Sequence, residues 1–135
     1  MEETKQKLKV LVGDDQLGIE GSISHKSFLR CCGHLANFDF SFQPDKFIEK
    51  AKQGKYDALI TDLNWTDEDL SRKDKTGFRV LEAIKNYAPI RVLHTSDDEY
   101  IQLGYQHGAT HCLEKNRPST LLEKILKGGG EKWKE

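Results

Sequence analysis

The amino-acid sequence predicts an α/β fold in which a doubly wound, five-stranded parallel sheet carries helices on both faces. Short apolar runs alternate five times with amphipathic segments, a pattern typical of repeated strand–helix units. The run Ala58–Thr61 has no polar alternation, as expected of a central strand buried on both faces. It ends on Asp62, at the strand terminus where open α/β sheets bind ligands.

The composition describes one domain with a well-charged surface. A chain of 135 residues has room for a single domain of ordinary size. Its 21 basic and 22 acidic residues give a formal net charge of -1, which argues against nucleic-acid and membrane-surface partners. No apolar run approaches the ~20 residues of a membrane span, and no signal peptide opens the chain. With three cysteines, an odd number, we expect reduced thiols and a cytoplasmic location.

Two strand–helix units are predicted before the central strand. An apolar run predicts a strand at Leu8–Val12, and a one-sided apolar pattern predicts a helix over Gln16–Cys32, with early glycines weakening its first turns. Phenylalanines alternate with polar residues over Phe38–Phe42, which indicates a half-buried strand. A proline then opens a short helix over Pro44–Lys52.

Three more units follow the same logic after Asp62. Apolar spacing predicts a helix that begins near Gly77, and Ala88-Pro89 ends it. Apolar runs predict strands at Ile90–His94 and His111–Glu114. Between them, a helix capped by Ser96 or Asp97 is predicted to run to His107, with Gly108 closing it. Pro118 is predicted to begin a last helix, which the glycines that start at Gly128 stop.

Polar residues follow four of the five strands, and these residues are expected to meet at one edge of the sheet. Strands joined by right-handed crossovers all end on that edge, which brings together Asp14, Asp15, Asp62, Thr95 and Lys115. Three clustered carboxylates need a cation, and Mg²⁺ suits such a set of oxygen ligands. A hydroxyl and an ammonium group suit the oxygens of an anion. Together they describe a site where a carboxylate, Asp62, accepts a phosphoryl group.

Four motifs in this order carry a resemblance to a known family: VLVGDD, DALITD, VLHTS and GATHCLEK. The chain resembles the receiver domains of two-component response regulators, and its size is similar to that of the stand-alone chemotaxis type. The resemblance implies a flavodoxin-like (βα)5 fold with strand order 2-1-3-4-5. It also implies a receiver domain over residues 7–127, followed by a flexible tail at 128–135.

The resemblance implies a role for each residue at the strand ends. Asp62 would be phosphorylated. The magnesium ion would be bound by Asp15 directly, by Asp14 mainly through water, and by the backbone carbonyl of Asn64. The phosphoryl oxygens would be bound by Thr95, which moves toward them on activation, and by Lys115. Asn64 and Asp97 occupy the positions that help to set the dephosphorylation rate.

The resemblance also implies partners. A sensor histidine kinase would supply the phosphoryl group, and a downstream protein would be bound through the region Asp97–Lys127. Phosphorylation-dependent homodimerisation is a further outcome that the family allows. No enzymatic activity is expected beyond self-phosphorylation and self-dephosphorylation. No contact with nucleic acid or membrane is expected.

Three features depart from the family pattern. Gly77 lies further from the acceptor than the corresponding family glycine, so the segment Leu63–Thr76 carries an insertion. Two interpretations of this segment are open: a solvated loop, or a lid or partner-specific surface anchored by Trp65. Under the second interpretation, deleting Thr66–Thr76 would change partner choice or phosphorylation lifetime. Asn116 replaces the proline that usually follows the lysine in a cis bond. Cys112 occupies the position of the switch aromatic.

The same residues also suggest four other interpretations. A calcium loop in the insertion lacks the turn glycine and the terminal glutamate of an EF-hand. A zinc site lacks ligand spacing at Cys31-Cys32 and at His111-Cys112, so buried or half-buried thiols are expected. A haloacid-dehalogenase-type phosphatase needs an Asp-x-Asp motif that the first strand does not provide. A receiver-like adaptor that acts by protein binding without phosphorylation remains as the alternative.

Overall fold

A computed structural model of the chain describes residues 8–14, 21–63, 65, 76–95, 98–114, 123 and 125. Strands and helices alternate through these residues. The strands are β1 (Lys9–Gly13), β2 (Asn37–Ser41), β3 (Ala58–Asp62), β4 (Ile90–Thr95) and β5 (His111–Glu114). The helices are α1 (Ile23–Cys32), α2 (Pro44–Ala51), α3 (Thr76–Ile84) and α4 (Ile101–Gln106), the last preceded by a 3-10 turn at Asp98–Tyr100.

The five strands form one parallel sheet in the order β2-β1-β3-β4-β5, which confirms the predicted fold class and strand order. Central β3 is buried along its whole length, as its uninterrupted apolar sequence predicted. Because all strands run in the same direction, their carboxyl ends lie on one edge of the sheet.

Each face of the sheet carries its own apolar core. One core joins alternate residues of β1, β3 and β4, including Val12 and Ile60, to Phe28 and Cys32 of α1 and to Ile125. The opposite face is covered by α2 and α3 in a second core built on residues that include Leu11, Phe47, Leu59, Val80 and Ile84. A third cluster, around Leu63, Phe78, Leu81 and Leu93, continues this face toward α4. The sheet is therefore doubly wound, and the predicted apolar residues of α3 are buried.

The prediction that α1 begins at Gln16 was wrong for Gly21 and Ser22, the two residues that directly precede the observed helix. Gly21 has a positive φ of 87°, and Ser22 is extended, so neither residue is helical. The Ser22 hydroxyl oxygen accepts a hydrogen bond from the backbone N–H of His25, which makes Ser22 the N-cap. The remainder of the predicted start, 16–20, lies outside the described residues.

Smaller differences occur at other element ends. The strand β2 ends at Ser41, and Phe42 is 51% exposed beyond it, so the alternation of phenylalanines outlasts the strand. The helix α3 ends at Ile84 rather than at Ala88. A 3-10 turn replaces the first turn of the predicted fourth helix, while Gly108 does adopt the positive φ, 113°, expected of a glycine after a helix end. Among the described residues, no helix is long and apolar enough to cross a membrane.

A polar link ties α3 to the end of α4. Glu82 accepts a hydrogen bond from Lys85 at 3.0 Å, and its other oxygen lies 3.2 Å from Nδ1 of His107. These hydrogen bonds, of which that from Lys85 has the larger effect and that with His107 the next, hold the pKa of the Glu82 carboxyl below its usual value of 4.5. The ring of His107 also stacks on Phe78 of α3, with 4.6 Å between ring centroids.

The lowered pKa of Glu82 predicts a pH-dependent contribution to stability. A carboxyl whose pKa is lower in the folded state stabilises that state above its unfolded pKa, and the contribution disappears as the pH falls through the folded pKa. Glu82→Gln should therefore lower the urea midpoint at pH 7, and the deficit relative to wild type should shrink as the pH falls below 4.5. Glu49→Gln, on the exposed face of α2, is the matched control. A deficit independent of pH would contradict the prediction.

Candidate functional site at the carboxyl edge of the sheet

Two of the predicted carboxylates lie side by side at the ends of neighbouring strands. Asp62 is the last residue of β3, and Asp14 follows the last residue of β1. Gly13 pairs with Thr61 in the register of these strands. Asp14 and Asp62 each directly follow one member of this pair, so they lie at the same level of the edge. Neighbouring strands lie about 4.8 Å apart. Asp14 and Asp62 are each 2% exposed, so two acidic groups are buried together at this point.

The backbone around these carboxylates is fixed by the sheet. The N–H of Asp14 donates a 3.0 Å hydrogen bond to the carbonyl of Ser41, at the end of β2. The hydroxyl of Thr61, itself fully buried, donates to the carbonyl of Asp62 at 3.0 Å. Hydrogen bonds to β2 and within β3 thus hold the backbone from which the two acidic side chains start.

The predicted hydroxyl group belongs to the next strand. Thr95 ends β4 and is 2% exposed, one residue beyond His94, which pairs with Asp62. His94 is itself buried. The structure therefore brings Asp14, Asp62 and Thr95 to one stretch of the edge, as the sequence predicted.

Three predicted site residues, Asp15, Asn64 and Lys115, lie outside the described residues, and so do Asp97 and Asn116. Within the described ranges, no three His, Cys, Asp or Glu side chains are grouped so that they could hold a metal ion. The described part of the predicted metal site consists of Asp14 and Asp62.

Gly77, which the sequence identified as a helix start and as the counterpart of a family glycine, lies very close to the end of β3. A methyl group on Gly77 would lie 2.5 Å from the Asp62 carbonyl oxygen and 2.5 Å from Cα of Leu63. The N–H of Gly77 donates a 2.9 Å hydrogen bond to the carbonyl of Leu63. The first turn of α3 therefore lies directly against the end of β3, and glycine is required because no side chain fits between them.

Trp65 anchors the other side of the same connection. Its indole is 3% exposed and packs against Phe47 of α2, with 6.2 Å between ring centroids. A methyl group on Gly13 would lie 2.5 Å from the Phe47 ring and 2.8 Å from the Trp65 ring. Sequence reasoning singled out Trp65 as an anchor but missed Phe47 and Gly13, although a glycine within a strand is a known signal of close approach.

Cys112, at the predicted switch position, lies in β5 beneath α4. Its thiol donates to the carbonyl of Ile101 at 3.6 Å. Burial raises the pKa of Cys112 to about 11, against the opposing effect of a hydrogen bond with Tyr105, so the thiol is neutral at pH 7. Cys32 is a buried thiol as well, whereas Cys31 is exposed, which corrects the expectation for that residue.

Solved structures resemble this fold closely, although no protein-family model and no curated protein sequence matches the chain significantly. The chemotaxis response regulator CheY4 of Vibrio cholerae is 23% identical with a TM-score of 0.68, and the match covers 90% of this chain and 98% of that one. The BeF3-activated receiver domain of Klebsiella pneumoniae RstA is 17% identical with a TM-score of 0.69, over 91% and 98% of the two chains.

A third neighbour is the signal receiver domain of the response regulator NarL, described as putative, from Mycobacterium tuberculosis. It is 20% identical with a TM-score of 0.68, and the match covers 91% of this chain and 95% of that one. In each case nearly the whole of a receiver domain is matched. The chain therefore has the fold of the receiver domains of response regulators.

Proposed function

We propose that the protein is a phosphorylation-controlled signalling switch in which Asp62 accepts a phosphoryl group from a sensor histidine kinase. The observation that carries the proposal is the placement of Asp62 at the end of the central strand, buried beside Asp14 and one strand from Thr95. This placement occurs within a fold that matches receiver domains over most of the chain. Outside the transfer to and from its own carboxylate, the protein is proposed to have no enzymatic activity.

The donors in the described part of the site suit a magnesium ion. Asp14 and Asp62 offer two hard oxygen ligands, and burying two carboxylates together is unfavourable without a nearby cation. We propose that Asp14, Asp15, Asp62 and the backbone carbonyl of Asn64 hold the ion. Bound there, Mg²⁺ would supply positive charge that offsets the charge of the carboxylates and of the phosphoryl oxygens.

The transfer itself needs one nucleophile and groups that orient the phosphoryl oxygens. A carboxylate oxygen of Asp62 attacks phosphorus, the bond from phosphorus to the histidine nitrogen of the kinase breaks, and the imidazole leaves with the electron pair. The Thr95 hydroxyl donates a hydrogen bond to a phosphoryl oxygen, and the Lys115 ammonium balances the added charge. The burial of Asp62 and Thr95 limits access of competing water.

The activated state is proposed to be recognised by a downstream protein at the region Asp97–Lys127, where phosphorylation-dependent pairing of two copies would also occur. The described part of this region exposes two large apolar side chains on α4, Leu103 at 38% and Tyr105 at 44%. Gly104 lies so close to β4 that a methyl group on it would be 2.6 Å from the Leu93 side chain. We infer that this contact, rather than an aromatic residue at Cys112, couples a movement of Thr95 to α4.

Intact mass spectrometry after incubation with acetyl phosphate and MgCl2 tests the proposal. We expect one phosphoryl adduct on the wild type, none on Asp62→Ala and none in EDTA. Asp57→Asn is the matched control, because Asp57 precedes the same strand at the opposite edge, where its carboxylate accepts from the N–H of Lys9. This variant should form the adduct normally.

Two results would contradict the proposal. An adduct that persists in Asp62→Ala would place the acceptor on another carboxylate. If the wild type forms no adduct and calorimetry detects no Mg²⁺ binding, the protein would act by binding alone, as a receiver-like adaptor.

A further inference from the structure

Trp65 connects three elements that meet beside the candidate site. It lies in the connection that leaves β3, three positions after Asp62 in the sequence. Its indole is buried against Phe47 of α2 and against the backbone of Gly13, the last residue of β1. The ring of Trp65 therefore connects the chain that follows Asp62 to Gly13, the residue that precedes Asp14.

The end of β3, where Asp62 lies, is fixed by the two described residues that follow it, Leu63 and Trp65. Leu63 is fully buried, and its N–H donates to the carbonyl of His94 at 3.3 Å. Trp65 is 3% exposed in the core between the sheet and α2. Mg²⁺ demands near-ideal octahedral geometry, so its affinity depends on how well its ligands are held in place.

We propose that Trp65 is a positioning residue for the magnesium site, acting as a packed clamp that holds the ends of β1 and β3, and with them Asp14 and Asp62, in fixed relative positions. The inference rests on the proposed function, because it concerns the affinity of that site for Mg²⁺. Trp65 itself supplies no ligand: its contacts are with Gly13 and Phe47.

The clamp works through the shape of the ring. The indole Nε1 is buried and has no hydrogen-bond partner among the residues that the structure describes. Its contribution therefore comes from the aromatic surface that contacts Phe47 and Gly13. Phenylalanine at position 65 keeps much of that surface, whereas leucine and alanine do not reach as far.

Calorimetric titration of the full chain with MgCl2 tests the clamp. Residues that orient metal ligands typically contribute tenfold or more to affinity, so Trp65→Ala should raise the dissociation constant about tenfold. Trp65→Leu, which remains apolar and is expected to fold, should also raise it, and Trp65→Phe should restore a value near that of wild type. Ile84→Ala is the matched control, because Ile84 is fully buried in the same core but lies at the far end of α3. Its loss should lower stability and leave the dissociation constant unchanged.

The outcomes separate this inference from the proposed function. If the wild type binds Mg²⁺ and both Trp65→Leu and Trp65→Phe bind it equally well, the clamp is wrong while the phosphorylation switch stands. If Ile84→Ala weakens binding as much as Trp65→Leu, the effect is one of general stability and the clamp is again wrong. If the wild type does not bind Mg²⁺, the proposed function itself fails, and the clamp fails with it.

Discussion

Replacing Phe47 by alanine is expected to remove about 3–5 kcal/mol from the free energy of unfolding, the usual cost of truncating a buried phenylalanine. The Phe47 ring is completely buried between α2 and the sheet, where it contacts Trp65 and covers Gly13. The strand backbone at Gly13 forms one wall of the cavity that the substitution would leave, and a backbone wall relaxes into a cavity less readily than side chains do.

Urea denaturation of Phe47→Ala beside Phe42→Ala measures this effect. Phe42 has the same side chain five positions earlier, but it is 51% exposed, so its truncation should change the free energy of unfolding by no more than about 0.5 kcal/mol. Equal losses in the two variants would show that Phe47 is not buried as described. Equal slopes of free energy against urea would confirm that only stability has changed.

Gly77→Ala is expected to destabilise the protein by about 1–3 kcal/mol, the usual cost of overpacking. The sign of this change in stability is informative, because helix propensity alone would predict the opposite. Alanine is about 1 kcal/mol more favourable than glycine inside a helix, and Gly77 lies in α3. The added methyl group would lie 2.5 Å from two backbone atoms, the Asp62 oxygen and Cα of Leu63, and backbone atoms at a strand end cannot rotate away. Relief of that contact must displace β3 or α3.

The same variant should also slow adduct formation by acetyl phosphate, since the displacement occurs at Asp62. Gly54→Ala is the control. Gly54 has a φ of 75°, so alanine is strained there, but nothing lies within 4 Å of the added methyl group. We expect Gly54→Ala to lose stability while its rate of phosphorylation stays that of wild type. A Gly77→Ala variant that is more stable than wild type would contradict the contact with β3.

The sheet and the strand-end residues could be predicted because both depend on local sequence. Uninterrupted apolar runs are typical of buried parallel strands. The polar residue that ends each run, such as Asp62 or Thr95, can be identified directly from the sequence. Strand β2 shows where local pattern stops being sufficient. Its alternation continues to Phe42, but the strand ends at Ser41, whose carbonyl accepts from the N–H of Asp14 on the neighbouring strand.

The contacts that shape the site could not be predicted in this way, because they join residues far apart in the sequence. Trp65 was recognised as an anchor, but nothing near it in the chain indicates Phe47 or Gly13 as its partners. Gly77 was predicted to begin a helix, yet its need for glycine arises from the carbonyl of Asp62. The N-cap at Ser22 was missed although serine is a favoured residue there, because the apolar pattern around it extends beyond the helix.

The hydrogen bond between Leu63 and Gly77, together with the buried ring of Trp65, gives the long β3–α3 connection two fixed ends. Lengthening a chain between fixed ends is inexpensive, since each doubling of a flexible loop adds only about 0.6 kcal/mol of closure entropy. The sequence between Trp65 and Thr76 can therefore diverge, or accept a grafted peptide, without displacing Asp62. Evolution would be free to change the surface beside Asp62 without rebuilding the residues at the strand ends.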